Sequence, residues 1–303
     1  MNDVSASVGH DRLKRLMARG AGFLGCDHAV LGGAMSWISE RNLVSALSNA
    51  GAFGVIACGA MTPDLLDTEI AETKARTDRP FGVNLITMHP MLSELIDVCA
   101  RHQVGHVVLA GGLPPPGSID RIKGNGAKLI CFAPALADEY LVFVAGGIGH
   151  GGLIAGYLEM GAVGVQLGTR FVCATECIAH ANFKKAFIRA SARDAITSVQ
   201  IDPRLPVIPV RALKNREMES FAAKQREVAQ LLDEGAVEMG EAQLQIEHYW
   251  AGALRRAVID GDVESGSVMM GQSVGMVKEE APVAEILATL IEEAAHALER
   301  RSV

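Results

Sequence analysis

Residues 142–171 read VFVAGGIGHGGLIAGYLEMGAVGVQLGTRF, and this stretch decides the fold of the chain. It opens with a short β-branched and aromatic run, residues 142–144, which predicts a buried strand. A glycine turn and a helical segment follow, and the segment ends in a second apolar run over residues 163–167. A strand, a helix and a second strand within about 30 residues make one βαβ module. The module predicts a parallel sheet.

Two glycine turns follow the two strands of this module. Gly146 and Gly147 end the first strand, and Gly168 and Thr169 end the second. Parallel strands place both turns at one edge of the sheet, where backbone N–H groups beside a helix N-terminus bind phosphate. In (β/α)8 barrels such a site commonly follows strands 7 and 8. The alternative is that these glycines only make tight turns. A Rossmann fold is less favoured, since no G-x-G-x-x-G opens a helix near the N-terminus.

Composition narrows the class of protein. The 303 residues are 49% hydrophobic and only 5% aromatic, and they include 32 glycines, which suits an α/β fold. A net charge of -7 without any Lys/Arg block argues against a nucleic-acid partner. No stretch predicts a membrane helix or a signal core, so a cytoplasmic protein is expected. Six cysteines without a CxxC are expected to be reduced core residues, and no cluster has metal-ligand spacing.

Strands and helices alternate about every 25 residues, which is typical of parallel α/β proteins. The strands are nearly continuous apolar runs, as expected when helices cover both faces of the sheet. Ser39 is expected to cap the helix over residues 40–49. The predicted strands are residues 31–36, 53–58, 81–86, 104–110, 128–132, 141–145 and 163–167. We therefore expect a (β/α)8 TIM-barrel-type fold that is one strand short of closure.

One connection is too short for this pattern. Only residues 133–140 separate the fifth predicted strand from the sixth. A parallel crossover needs about a dozen residues or more. Either these strands are not neighbours in a standard unit, or a helix and a strand are absent from the chain.

The pattern changes after Phe171. Residues 199–210 carry three prolines and are expected to run extended, because proline suits neither a central strand nor a helix. Two helical segments follow, and a terminal helix ends the chain. We expect a barrel domain over residues 1–210, a small helical domain over 211–272, and a C-terminal helix within 273–303 that returns to the barrel.

Five motifs, in order along nearly the whole chain, carry a family resemblance. They are GGAMSW at residues 32–37, FGVNLIT at 81–87, AGGIG at 145–149, GVQLGTRF at 164–171 and GQSVG at 271–275. In these motifs the chain resembles the nitronate monooxygenases, formerly called 2-nitropropane dioxygenases. The resemblance implies an FMN-binding (β/α)8 barrel with a small second domain. The family includes flavin-dependent enoyl-acyl-carrier-protein reductases and some quinone reductases, so membership alone does not fix the substrate.

The resemblance also implies which residues hold the cofactor. Around the FMN phosphate it places Gly146, Gly147, Gly168 and Thr169, and beside the isoalloxazine ring Gly33, Ala34 and Met35. Asn84 would bind the flavin or the edge of the substrate, because a neutral amide both donates and accepts hydrogen bonds. The alternatives are that Asn84 ties two strands together and that Met35 fills the core.

The chain departs from the family at the catalytic base. Members usually carry another helix, another strand and a Gly-Gly-His loop between the strands that match Ile130 and Val142. This unit is lacking here, at the place where the connection is too short. His89 is the candidate for the catalytic histidine, against a loop-structuring role, and His150 is the alternative.

The favoured function is an FMN-dependent oxidation of alkyl nitronates with O2. The missing segment is expected to weaken this activity, because loss of a general base slows a reaction. A second hypothesis is an NAD(P)H-dependent flavin reductase acting on an enoyl thioester or a quinone. Two further alternatives are a non-catalytic flavin-binding relic and an α/β scaffold without a cofactor. The oligomeric state is left open, with a homo-oligomer as one alternative.

Overall fold

The structure, a computed structural model, describes residues 8–132, 140–205, 207 and 209–301. Its strands are β1 (Val30–Gly32), β2 (Val55–Ala57), β3 (Gly82–Ile86), β4 (His106–Ala110), β5 (Lys128–Cys131), β6 (Phe143–Ala145), β7 (Gly164–Leu167), β8 (Ala195–Thr197) and β9 (Arg211–Leu213). Its helices are α1 (Val8–Leu24), α2 (Arg41–Asn49), α3 (Pro63–Lys74), α4 (Leu92–Arg101), α5 (Ser118–Gly124), α6 (Gly151–Glu159), α7 (Ala181–Arg189), α8 (Arg216–Asp233), α9 (Met239–Val258) and α10 (Val283–Arg300).

The first seven strands pair in parallel, and all seven predicted strands are confirmed. One ladder runs in the order β6-β7-β1 and a second in the order β2-β3-β4-β5. A parallel bridge between Leu31 and Phe53 brings β1 beside β2. The strands therefore follow one another as β6-β7-β1-β2-β3-β4-β5, the order expected of a (β/α)8-type sheet.

Among the described residues, the sheet is open between β5 and β6, and residues 133–139 of the short connection lie outside the described residues. Within the described ranges no ladder joins these two strands, and each pairs on one side only. Strands β1 and β2 are fully buried, whereas Lys128, Cys131 and Ala145 on the two end strands are exposed. The exposure of Cys131 corrects the expectation that every cysteine is a core residue. The opening lies where the sequence predicted a missing strand.

The two end strands should be the least protected part of this sheet. We expect the amide hydrogens of β5 and β6 to exchange about tenfold or more faster than those of β3 and β4. The reason is that strands with exposed side chains and one unpaired edge open at lower free energy than buried central strands. Hydrogen exchange followed by mass spectrometry measures the difference, and equal protection of all four strands would contradict the open edge.

The sheet has a core on each of its faces. On the outer face, residues of β2 to β5 pack against the helices that follow them, as Ile56, Val83 and Leu109 illustrate. On the inner face, Leu31 and Val108 belong to a second cluster. Both faces of the sheet are therefore covered, which explains why the central strands are nearly continuous apolar runs.

The end of α1 covers the amino edge of the sheet. The Phe23 ring lies 5.5 Å from the His106 ring on β4 and 6.4 Å from the Phe143 ring on β6, measured between centroids. Lys128 on β5 places Nζ 5.1 Å from the centroid of the Phe23 ring. Phe23 thus contacts strands on both sides of the opening. We infer that α1 holds β5 and β6 in place at this edge.

His106 makes the stability of this edge depend on pH. Burial lowers the pKa of His106 below its ordinary value of 6.5, and Nε2 donates a hydrogen bond to the Phe23 carbonyl at 2.9 Å. The unfolded chain binds the proton more readily, so stability is complete above about pH 6.5 and falls as the pH decreases below it. Between pH 7.5 and 5.5 we expect the free energy of unfolding to fall less in His106→Gln than in the wild type. The two slopes should differ by at most about 1.4 kcal/mol per pH unit.

Urea unfolding at several pH values measures this slope. Glutamine keeps a donor near Nε2 but does not titrate, so the comparison isolates the proton from the hydrogen bond. His28 and His89, whose pKa values burial also lowers, remain in both proteins. Parallel slopes for the two proteins would show that His106 does not contribute.

The chain divides into two compact units, one comprising residues up to Cys177 together with those from Ala281 onward, the other Ile178–Glu280. The expected boundaries at residues 210 and 272 differ from this division, since residues 178–210 group with the second unit.

Within the first unit, α10 packs against α6 and α1. Where α6 contacts α10, a Cβ on Gly151 would lie 2.2 Å from the Leu290 carbonyl oxygen, so only glycine fits there.

The second unit has its own small core. Phe221 of α8 packs on Trp250 of α9, with ring centroids 4.6 Å apart. Strands β8 and β9 form an antiparallel pair that the sequence pattern did not predict. They flank the predicted extended segment 199–210, of which residues 206 and 208 lie outside the described residues. No helix in the described part of the chain is long and apolar enough to cross a membrane.

Candidate functional site

The predicted site residues collect at the carboxyl edge of the seven-stranded sheet. Parallel strands end on the same side, so the loops after them meet at one edge. Strands β6, β7 and β1 are direct neighbours. The turns that follow these three strands contain Gly146 and Gly147, Gly168 and Thr169, and Gly33, Ala34 and Met35. The phosphate and ring residues implied by the resemblance therefore lie on three adjacent strand ends.

The turn after β6 exposes its backbone. Gly146 and Gly147 have φ angles of +97° and +70°, a region that favours glycine. A Cβ built on either residue meets no atom within 4 Å. The turn can therefore present its backbone to an anion without side-chain obstruction.

The N-terminus of α6, however, is already occupied by protein groups. His150 caps the helix, because its Nδ1 accepts from the Gly152 N–H at 2.9 Å. Glu293 of α10 accepts from the Gly151 N–H at 2.7 Å, and its other oxygen lies 3.4 Å from His150 Nε2. An anion in this turn would therefore bind to the backbone before Gly151 rather than to the first helical N–H groups, and His150 has a capping role.

The turns after β7 and β1 touch one another. A Cβ on Gly168 would lie 3.3 Å from Met35 Sδ, and the Gly33 N–H donates to the Leu167 carbonyl at 2.8 Å. Gln166 lies close by, since its Nε2 would be 3.4 Å from a Cβ on Gly33. The Met35 side chain thus packs on the turn after β7.

Ser39 holds the turn after β1, and the prediction that it caps α2 is wrong. Its Oγ accepts from the Met35 N–H at 3.0 Å and donates to the Gly33 carbonyl at 2.9 Å. Glu40 caps α2 instead, accepting from the N–H groups of the second and third following residues. The longer Glu40 side chain reaches the helix, which leaves the Ser39 hydroxyl for the loop.

Asn84 ties two strands together. The residue is buried on β3, and its Nδ2 donates to the Val108 carbonyl on β4 at 3.1 Å. This contact matches the structural alternative from the sequence analysis. A contact between Asn84 and a flavin or substrate stays a prediction, which concerns its Oδ1 rather than its amide nitrogen.

His89 is engaged on both sides of its ring. Nδ1 accepts from the Met91 N–H at 3.1 Å, at the start of α4. Burial lowers the pKa of His89, and a hydrogen bond to the backbone of Met61 partly opposes this. These contacts connect the loops after β2 and β3. The catalytic role of His89 stays a prediction, and its contacts favour the loop-structuring alternative.

Three polar residues at this edge were missed by the sequence analysis. Gln166 is an amide within an apolar strand, and Arg170 follows the glycine turn after β7. Burial lowers the pKa of Arg170, and Glu293 opposes that shift. Thr87 directly follows β3, and its hydroxyl is buried. A polar residue at the end of an apolar strand is the signal that could have found all three.

The described ranges contain no set of side chains arranged as metal ligands. In these ranges no group of three or more His, Cys, Asp or Glu side chains could hold a metal ion.

Comparison with known proteins identifies the family. A family model described as nitronate monooxygenase matches residues 19–144 and, in a second overlapping match, residues 110–293. The chain is 24% identical to "(3aS,4S,5R,7aS)-5-hydroxy-7a-methyl-1-oxo-octahydro-1H-indene-4-carboxyl-CoA dehydrogenase" from Mycobacterium tuberculosis, over 88% of this chain and 93% of that protein. It is also 24% identical to a nitronate monooxygenase from Pseudomonas aeruginosa, over 93% of this chain and 99% of that protein.

One relative is longer than this chain. The alignment with the Pseudomonas aeruginosa protein spans 369 positions, more than the 303 residues of this chain, so that relative carries residues that this chain lacks. The two family matches overlap in residues 110–144, which include the short connection between β5 and β6.

A solved structure, FabK from Thermotoga maritima, shares the fold. It has a TM-score of 0.78 and 30% identity over 94% of this chain and 98% of that chain. The family match covers most of the chain, and the fold is that of TIM-barrel flavoenzymes. The chain therefore belongs to the nitronate monooxygenase family of flavin-dependent oxidoreductases.

Proposed function

We propose that the protein binds FMN at the carboxyl edge of the barrel and oxidises alkyl nitronates with O2. In this proposal Gly146, Gly147, Gly168 and Thr169 hold the FMN phosphate. Gly33, Ala34 and Met35 contact the isoalloxazine ring, and Asn84 binds the edge of the flavin or substrate.

One observation carries the proposal. The ends of β6, β7 and β1 are adjacent, and the contact between Met35 and Gly168 joins the ring turn to the phosphate turn. The open backbone at Gly146 and Gly147 suits a phosphate group. Arg170 adds a half-buried cation at the same edge. These residues fit a flavin with a single phosphate, and no dinucleotide fingerprint supplies a second nucleotide site.

Bound FMN would supply the electron acceptor for the reaction. The protein's own task would then be to orient the nitronate, offset its charge and exclude water. A preformed nitronate is already deprotonated, so its oxidation does not require the histidine that the short chain lacks. The expected weakening of activity then concerns the neutral nitroalkane rather than the nitronate. The substrate class therefore suits the residues that are present.

A second candidate is a flavin-dependent dehydrogenase or reductase that acts on an acyl thioester. The Mycobacterium tuberculosis relative is named for a carboxyl-CoA substrate, which favours this candidate. NAD(P)H would then be the reductant in the reductase direction. A flavin-binding protein without turnover is the remaining alternative.

The absorption spectrum of the purified protein tests the cofactor. We expect flavin bands in the blue and near-ultraviolet, and FMN rather than FAD on chromatography after heat release. Anaerobic mixing separates the functions, because bleaching by a nitronate favours the oxidase and bleaching by NADH favours the reductase. A protein that takes up no flavin when FMN is added would overturn the proposal.

A further inference from the structure

One hydroxyl at the carboxyl edge has no hydrogen-bond partner in the described part of the chain. Thr87, directly after β3, is only 5% exposed. Its Oγ1 is buried and bonds to none of the described residues. The backbone of Thr87 is fixed, since its N–H donates to the Ala110 carbonyl of β4 at 2.7 Å. The hydroxyl therefore cannot reach a new partner by moving the strand end.

Two glycines leave space beside this hydroxyl. Gly111 and Gly112 follow β4 with φ angles of +94° and +113°, values that disfavour other residues. A Cβ on Gly111 would lie 3.4 Å from Thr87 Oγ1 and 3.0 Å from Ile86 Cγ2. On Gly112 it would lie 3.9 Å from the same hydroxyl. Side chains at either position would crowd the notch, which we define as Thr87, Gly111 and Gly112.

An unpartnered buried hydroxyl opposes folding, because it loses its hydrogen bonds to water without replacement. Native structures satisfy nearly all such groups, and exceptions call for a ligand or a water molecule. Thr87 lies three residues beyond Asn84, at the edge where we propose that the flavin binds. Oxygen atoms are abundant on both reactants there, since the isoalloxazine ring carries carbonyl oxygens and a nitronate carries two anionic oxygens.

We propose that the Thr87 hydroxyl donates a hydrogen bond to an oxygen atom of the bound flavin or of the nitronate. The proposal rests on the proposed function, because it needs a ligand at this edge. The shared chemistry is a carbonyl or anionic oxygen seated in the notch. Gly111 and Gly112 place no side chain between the hydroxyl and this oxygen. Thr87 is then a binding residue that neither the motifs nor the resemblance assigned.

Thr87→Val tests the proposal, because valine keeps the shape and removes the hydroxyl. FMN binding is measured by the quenching of FMN fluorescence when apoprotein is added. Substrate-site binding is measured by the change in the flavin absorption spectrum when isobutyrate is added to the FMN-loaded protein. Isobutyrate is an unreactive carboxylate shaped like propyl-2-nitronate. We expect Thr87→Val to weaken one of these two affinities about tenfold. Both affinities of Thr87→Ser should stay within about twofold of the wild-type values. Weaker FMN binding assigns the flavin oxygen, and weaker isobutyrate binding assigns the substrate oxygen.

The thermal stability of the apoprotein supplies a second readout. Removing an unpartnered hydroxyl should leave the melting temperature of Thr87→Val unchanged or raise it, even though binding weakens. Thr73→Val is the matched control. Thr73 is buried in α3, and its Oγ1 donates to the Glu69 carbonyl at 2.7 Å. This control should lose stability and keep both affinities.

The outcomes separate this proposal from the proposed function. If both proteins bind FMN and Thr87→Val keeps the wild-type affinities, the role of Thr87 is overturned, while the proposed function stands. A lower melting temperature with unchanged affinities would do the same and indicate a water molecule on the hydroxyl. Failure of the wild type to bind FMN or isobutyrate would overturn the proposed function, and the role of Thr87 with it.

Discussion

Gly168→Asp is expected to remove nearly all flavin from the protein. The aspartate would place a carboxylate in the turn where we propose that the FMN phosphate binds, and its Cβ would lie 3.3 Å from Met35 Sδ. Two charges about 4 Å apart repel by roughly 4 kcal/mol at the effective dielectric constant of a protein surface. That energy weakens binding about 10³-fold, which the ratio of flavin to protein absorbance and an FMN titration both measure.

Two control variants separate charge from size and from general damage. Gly168→Ala adds the Cβ without the charge, so its loss of affinity measures the contact with Met35 alone. Gly105→Asp introduces the same carboxylate before β4, at the opposite edge of the sheet, where a Cβ meets no atom within 4 Å. We expect Gly105→Asp to retain its flavin. Normal flavin content in Gly168→Asp would refute the phosphate site.

Neutral nitroalkanes should be much poorer substrates than their nitronates. We expect 2-nitropropane to be oxidised about 10²- to 10⁴-fold more slowly than propyl-2-nitronate, because a neutral nitroalkane must first lose a proton to a general base. The described loops that follow the seven strands contain five carboxylates or histidines: Glu40, His89, His150, Glu176 and His180. Each of them already accepts a backbone N–H, so none is poised to take the proton.

Oxygen consumption in fresh solutions of each substrate measures this ratio, after subtraction of spontaneous deprotonation in buffer. His89→Asn with His150→Asn is the informative double variant, since asparagine can keep an acceptor near Nδ1 but cannot act as a base. We expect it to retain the nitronate rate. A tenfold loss would instead support the catalytic role predicted for His89, and equal rates for both substrates would show that a base is present.

The opening between β5 and β6 bears on the missing base and on the access of water to the proposed site. The family resemblance implies that the strand and the histidine loop missing from this chain belong to one segment. Strand β5 exposes Lys128 and Cys131, and strand β6 exposes Ala145, so water reaches the sheet on this side. Water beside the flavin would weaken electrostatic contacts with the substrate, because charges interact less strongly in a high dielectric.

The sequence alone determined the parts of this protein that depend on local geometry. Apolar runs of strand length predicted the seven parallel strands, and the glycine turns after the sixth and seventh predicted the edge to which Gly146, Gly147 and Gly168 belong. Counting residues between the fifth and sixth strands predicted the open side, because a crossover helix has a minimum length.

Only the tertiary structure decided which polar groups at that edge are engaged. Glu293, far along the chain, occupies the first N–H of α6, and the Met61 backbone engages His89 from a neighbouring loop. The Thr87 hydroxyl is buried and bonds to none of the described residues. A pattern of residues shows where a strand ends, but hydrogen bonds and desolvation at its end depend on segments that only folding brings together.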